Sequence, residues 1–157
     1  MSAAKSKSLL DKIIAKDIMT EEVVVVNAQM TIGQVAHLML RNRVSGYPVV
    51  DGKKKVIGVV TVSDLFSLVD KLAWDCVHHA GKKHSEDLQK KIAARKNRPV
   101  REIMSKRVIA IEPETPLLEV IDAVVKWDIH TFPVMKKKKL IGIIGRRDIL
   151  NAAFVYG

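Results

Sequence analysis

The sequence predicts an α/β (α+β) fold made of two β-α-β-β-α repeats, and three observations predict it. One pattern occurs twice, in residues 17–66 and 102–150: a charged residue, Ile-Met-Thr or Ile-Met-Ser, a β-rich run, an amphipathic helix, an aromatic-Pro-Val and a closing Gly-hydrophobic-hydrophobic-x-x-x-Asp. The copies keep register, since 85 residues separate Met19 from Met104 and Pro48 from Pro133, and 84 separate Asp64 from Asp148. Loss of one hairpin residue near Lys55 accounts for the change. Finally, each copy alone would yield a three-stranded sheet too small to be stable by itself, so each must bury a face against the other. The expected organisation is an N-terminal helix (1–16), a first repeat (17–70), a basic helical linker (71–99) and a second repeat (100–157), with any site sought between the repeats.

The elements follow in order. Ser8 to Lys16 sets Leu9, Leu10, Ile13 and Ile14 at helical spacing behind a serine cap, which predicts a short amphipathic helix. Val23 to Val26 predicts a buried strand. Thr31 caps a helix with the stripe Ile32, Val35, Ala36, Met39 and Leu40. The second copy repeats that stripe as Leu117, Val120, Ile121, Val124 and Val125, with Pro116 at the helix start. Two hairpins come next: Val49-Val50 and Val56 to Val60 flank Asp51-Gly52-Lys53, while Val134-Met135 and Leu140 to Ile144 flank the run Lys136 to Lys139. Asp64-Leu65-Phe66 and Asp148-Ile149-Leu150 open closing helices, the first continuing through Leu68 to Val77. A turn at Gly81-Lys82-Lys83-His84 then leads to an exposed basic helix, Leu88 to Ala94, ended by Pro99.

At 157 residues and 48% hydrophobic content, the chain can bury the core of one domain or of two small, intimately packed ones. No apolar run approaches the roughly 18 to 20 residues that span a bilayer, and the N-terminal apolar run is too short for a signal peptide. A cytoplasmic protein with no membrane partner is expected. The single cysteine, Cys76, sets no disulfide framework. A net charge of +10 favours anionic partners. Residues 82–101 hold eight Lys/Arg against Glu86 and Asp87, and the hairpin turns hold most of the other lysine runs. Cys76, His78, His79 and His84 are soft-metal ligand types, but their spacing matches no standard zinc pattern, so no metal is expected.

Asp64 and Asp148 carry the chemistry, because each falls where a strand turns into a helix. A carboxylate there can accept from both hydroxyls of a ribose, beside helix N–H groups and a dipole suited to phosphate. Thr61-Val62-Ser63-Asp64 equally fits a capping box that needs no ligand. In the second copy Gly145 stands at the Thr61 position; a hydroxyl is lost, the backbone can approach a ligand closely, and Arg146 and Arg147 add charge beside Asp148. Arg147 is the phosphate candidate, or else a solvated helix-start arginine. His130 is either a phosphate contact that titrates near neutral pH or an ordinary polar residue at a strand start.

Two in-register copies of Ile-Met-Thr/Ser, then Arg43-Val44-Ser45-Gly46-Tyr47-Pro48-Val49-Val50-Asp51 or Ile129-His130-Thr131-Phe132-Pro133-Val134, then the Gly-to-Asp close, resemble a cystathionine-beta-synthase-type (CBS) domain pair. The resemblance covers all but the N-terminal dozen residues and parts of the linker, and implies repeats packed as a pseudo-two-fold CBS domain pair. It also implies adenosine nucleotides, AMP, ADP or ATP ahead of S-adenosylmethionine, bound in clefts between the repeats, and flat homodimers. The contacts it implies set Asp148 with Met19, Thr20, Val24 and Ser45, and Asp64 with Met104, Ser105, Ile109 and His130. The flanking segments Gly46, Tyr47 and Pro48, Thr61 and Ser63, Thr131, Phe132 and Pro133, and Gly145 and Arg147 complete the set. Core packing explains the methionines and Val24 equally well, and strand-start punctuation explains the prolines. Gly145 departs from the family's Ser/Thr at that position.

The expected function is therefore a stand-alone regulatory or sensor module that signals to an effector protein in trans. No motif sets a nucleophile beside a base, so no enzyme is expected. One alternative is a nucleic-acid-binding protein using the basic linker helix 82–101, weakened by an aromatic content of only 4%. The other is a ligand-free interaction scaffold.

Overall fold

The computed structural model describes residues 8–79 and 84–156. The expected turn at Gly81-Lys82-Lys83 lies outside the described residues. Element order is α1 (Ala15–Ile18), β1 (Val26–Asn27), α2 (Ile32–Asn42), β2 (Gly46–Val50), β3 (Val56–Thr61), α3 (Val62–His79), α4 (His84–Lys96), α5 (Leu117–Trp127), β4 (Phe132–Lys136), β5 (Lys139–Ile144) and α6 (Arg146–Tyr156), with 3-10 turns at Leu9–Lys12 and Val100–Glu102. The chain divides into two compact units: Val24–Arg107, and Met1–Val23 together with Val108–Gly157.

The Val24–Arg107 unit holds a sheet of order β1-β2-β3, with β1 parallel and β3 antiparallel to β2. Thr31 caps α2 as expected: its hydroxyl accepts the Gln34 N–H at 3.2 Å while the Gln34 side chain accepts the Thr31 N–H at 2.9 Å. α2 buries Ile32, Val35 and Met39, and its face joins a core of Val26, Tyr47, Val49, Val60 and Val100. Two expectations need correction. The strand expected over Val23 to Val26 is confined to Val26–Asn27, the residues that pair with Val49 and Val50, and Val24 is 50% exposed. The helical stripes are also narrower than predicted, because Leu40 and its counterpart Val125 are 80% and 81% exposed.

α3 runs to His79, and α4 packs against it and against α2. The seam holds Cys76, whose thiol donates to Asp87 at 3.4 Å, with Lys91 3.4 Å from the same carboxylate oxygen. Burial pushes the Cys76 thiol up, and the bond to Asp87 acts in the same direction. Beyond α4, Arg98 forms a two-pronged pair with Glu102, which Arg95 approaches at 4.0 Å. The Arg98 guanidinium holds the Glu102 carboxyl below its usual range.

The other unit is built on the β4-β5 hairpin, with Phe132 opposite Ile144. Its third strand shrinks to one bridge, Ile111 beside Val134. α5 buries Leu117 and Val120. The helix expected over Ser8 to Lys16 breaks at Ile13-Ile14 because backbone pairing wins there: Ile14 bridges Pro116, and the Ala15 N–H donates to the Thr115 carbonyl at 2.8 Å.

Each Ile-Met-Thr/Ser signature lies beside the closing strand of the opposite copy. Thr20 exchanges two hydrogen bonds with Ile143, at 2.9 and 3.0 Å, and Ser105 exchanges two with Val59, both at 2.9 Å. Pro48 and Pro133 sit opposite Val59 and Ile143. Those two residues turn their backbone groups to the signatures, so no hydrogen bond from either proline is missed across the hairpin.

The β4-β5 turn is strained, since Lys137 and Lys138 both have positive φ, 49° and 64°. Lysine is a poor residue for that left-handed pair, which Asn-Gly adopts readily. Lys137→Asn with Lys138→Gly is expected to raise unfolding stability by about 0.5–1 kcal/mol. A urea midpoint that stays put or falls would contradict this.

Candidate functional site

In the Val24–Arg107 unit, Asp64 sits on the first turn of α3. Its Oδ2 accepts the Thr61 N–H at 2.7 Å and the Thr61 hydroxyl at 2.8 Å, while the Asp64 N–H donates to that hydroxyl at 3.3 Å. The capping box is thus formed, and the hydrogen bonds of the carboxylate all run to one oxygen. Hairpin register brings Gly46 opposite Thr61 and Tyr47 opposite Val60, and the Ser45 carbonyl accepts the Val62 N–H at 2.9 Å. Ser45, Gly46, Thr61 and Asp64 therefore gather at one end of the sheet. Ser105 flanks Val59, and Met104 lies over Gly58. Tyr47 and Pro48 are buried, and the Tyr47 hydroxyl accepts from Asn42 at 3.0 Å, so the Tyr47 ring belongs to the core beneath α2.

The second unit repeats the arrangement with different chemistry. Asp148 opens α6, and its Oδ2 accepts the Gly145 N–H at 2.7 Å with no hydroxyl in support. Thr131, Phe132 and Pro133 are buried, Thr20 flanks Ile143, and Met19 lies over Gly142. Met19 and Met104 both pack on their unit's core, as does Ile109. Exposed Val24 does not, which removes the packing explanation for that residue. Val24 and Ser45 belong to the unit of Asp64, and Ile109 and His130 to that of Asp148.

The sequence places both Arg146 and Arg147 beside Asp148 and makes Arg147 the phosphate candidate, whereas in the structure Arg146 is the one that meets His130. The Arg146 guanidinium lies 3.3 Å from His130 Nδ1, and His130 Nε2 lies 3.6 Å from the Asp128 carboxylate. Hairpin register was the available signal: His130 stands two residues before Phe132, Arg146 two after its partner Ile144.

Desolvation pushes the Asp148 carboxyl above the ordinary aspartate value of 3.8, opposed by the Gly145 hydrogen bond and the Arg147 charge. The folded chain then holds this proton more tightly than the unfolded chain does. Stability from this group is therefore lost as pH rises from 3.8 through the raised value. Asp148→Asn, which keeps an acceptor for Gly145, is expected to remove that component. Urea midpoints followed upward from that pH would show wild type losing ground to the variant; a constant gap would contradict it.

Among the described residues no helix is long and apolar enough to cross a membrane, and no group of three or more His, Cys, Asp or Glu is placed to hold a metal. The rings of His78 and His79 turn back to the carbonyls of Trp74 and Asp75, at 2.8 and 3.2 Å.

The paired junctions match a known family. The CBS domain model matches residues 15–71 and 100–154. The chain belongs to the CBS domain family. Its two copies form a tandem CBS pair, similar to several solved structures. The CBS-domain-containing protein ATU1752 from Agrobacterium tumefaciens matches with a TM-score of 0.71 at 22% identity, covering 90% of this chain and 99% of that one. The structure of CBSX2 in complex with AMP matches with a TM-score of 0.66 at 24% identity, covering 90% and 96%. Among curated relatives, uncharacterized protein MJ1404 of Methanocaldococcus jannaschii is 31% identical over 149 residues, covering 95% of this chain and 34% of that protein. The chain thus spans about a third of that relative's length.

Proposed function

We propose that this CBS pair is a regulatory nucleotide-sensing module in which Asp64 and Asp148 each hold the ribose of an adenosine ligand. The observation that carries the reading is Asp148. A carboxylate used only as a cap gains from its hydroxyl partner, yet here the hydroxyl is replaced by Gly145 and the carboxylate stays, at a position where burial disfavours its ionised form. Ionisable groups kept in an unfavourable setting are candidates for binding, and this one stands at a strand-to-helix junction. Asp64 supports the same reading, since its hydrogen bonds leave one carboxylate oxygen for a ligand. Arg146 and Arg147 supply the positive charge that a phosphate requires, with His130 beside Arg146.

CBSX2 was solved with AMP, which makes AMP the first ligand to test. Occupancy would act on a partner only through a difference in affinity between two states of the module. Exposed apolar side chains on the closing helices, Phe66 at 70% and Phe154 at 85% exposure, offer a surface for a second copy or an effector. The basic linker is less available to nucleic acid than its charge implies, because Lys91, Arg95 and Arg98 face Asp87 and Glu102.

Calorimetric titration with AMP, ADP, ATP and S-adenosylmethionine at physiological salt tests this reading. Saturable binding of at least one is expected. Binding of none would overturn it and leave a ligand-free scaffold.

A further inference from the structure

The Val24–Arg107 unit contains a cavity of about 250 Å³ at the hairpin end of its sheet, the opposite end of β2 from Asp64. Ala28, Ile57 and Met104 give it an apolar floor, and Arg101 and Lys106 line it with two cations whose side chains make no hydrogen bond or ion pair within 4.0 Å among the described residues, although the Arg101 charge also acts on Glu102. Its one carboxylate, Asp51, is engaged: Oδ1 accepts the N–H groups of Lys53 and Lys55, both at 2.9 Å. Lys53, Lys54 and Lys55 raise the surrounding potential further.

The repeat supplies an internal control. Asn27, Gln29 and Lys106 line the cavity at positions where the other copy has Glu112, Glu114 and Glu21, while Arg101 corresponds to Lys16. At these three positions the second copy carries carboxylates and the first has none, whereas Asp51, the one carboxylate of the first, corresponds to Lys136, which lies 3.9 Å from Glu114. The lining of the first copy is thus the one that favours an anion.

We propose that this cavity binds a small organic anion, a carboxylate or phosphate monoester on an apolar body the size of one ring. The volume falls below the roughly 300–1,000 Å³ of sites for drug-sized ligands, which suits a one-ring body better than a whole nucleotide. The head meets Arg101 and Lys106, and the ring lies on Ala28, Ile57 and Met104. An occupant also bears on the segment that ends in Ser105, the partner of Val59.

The test is an amide-shift titration of the full chain with benzoate and phenyl phosphate, against benzyl alcohol as the uncharged control and inorganic phosphate as the control without a ring. Saturable shifts at Ala28, Gly52 and Met104 are expected with both organic anions, and binding at least about ten-fold weaker with each control. Arg101→Gln with Lys106→Glu should abolish those shifts, and Lys106→Glu alone should weaken them, with amide dispersion and the AMP titration unchanged. No saturable shift, equal shifts with either control, or unaltered shifts in both variants would overturn the proposal.

Discussion

Replacing Asp64 or Asp148 by alanine is expected to weaken adenosine-ligand binding at that site by about 10- to 100-fold, the equivalent of the ~1.5–3 kcal/mol typical of hydrogen bonds to a charged group. The two variants should differ in stability. Asp64→Ala also deletes the two hydrogen bonds that its carboxylate accepts from Thr61, a loss of about 0.5–1.5 kcal/mol, while its N–H still donates to the Thr61 hydroxyl. Asp148→Ala deletes a carboxylate whose ionisation burial disfavours, so less stability is lost. Asp64→Asn separates the two effects, because the amide oxygen still caps α3 while the charge is gone. Affinity should fall in Asp64→Asn with stability nearly kept. Unchanged affinity in all three variants, measured by calorimetry, would show that these carboxylates only cap helices.

Gly58→Ala is expected to destabilise the chain by about 1–3 kcal/mol, the usual range for forcing extra atoms into packed structure. A Cβ there would stand 2.8 Å from the Ser105 carbonyl oxygen and 2.7 Å from Met104 Sδ. The carbonyl cannot retreat without breaking the paired 2.9 Å hydrogen bonds between Val59 and Ser105. Gly142 is the matched control in the other copy. The three atoms nearest a Cβ there all belong to the Met19 side chain, Sδ, Cγ at 2.9 Å and Cβ at 3.2 Å; the flexible thioether can move aside, which leaves Cβ to give by a few tenths of an ångström. Gly142→Ala should therefore lose less than Gly58→Ala in urea denaturation. Equal losses would contradict this. Gly58→Ala should also lower ligand affinity, since it displaces Ser105.

The repeat made most of this fold legible. Register alone placed both hairpins, both α2-type helices and the carboxylates at their junctions, because those features rest on local patterns: Thr31 with Gln34, Asp51-Gly52, and the Gly-to-Asp close. What stayed hidden depends on contacts distant in sequence. Val24 and Val25 read as strand but find no partner. The Ser8 to Lys16 helix breaks because Ile14 and Ala15 bond to the α5 approach. The motif glycines were visible, but their reason was not: each makes room for the methionine of the opposite signature. The contact of Arg146 with His130 was not legible because it comes from hairpin register rather than from spacing along the chain.

The central claim is that Asp64 and Asp148 hold an adenosine ligand. It is tested most directly by titrating AMP calorimetrically into the wild-type chain and the Asp64→Ala, Asp148→Ala double variant, each first shown to be folded by its amide spectrum. Saturable binding by the wild type and none measurable in the double variant is the predicted result. Equal affinity in the two proteins, or no binding by the wild type, would contradict it.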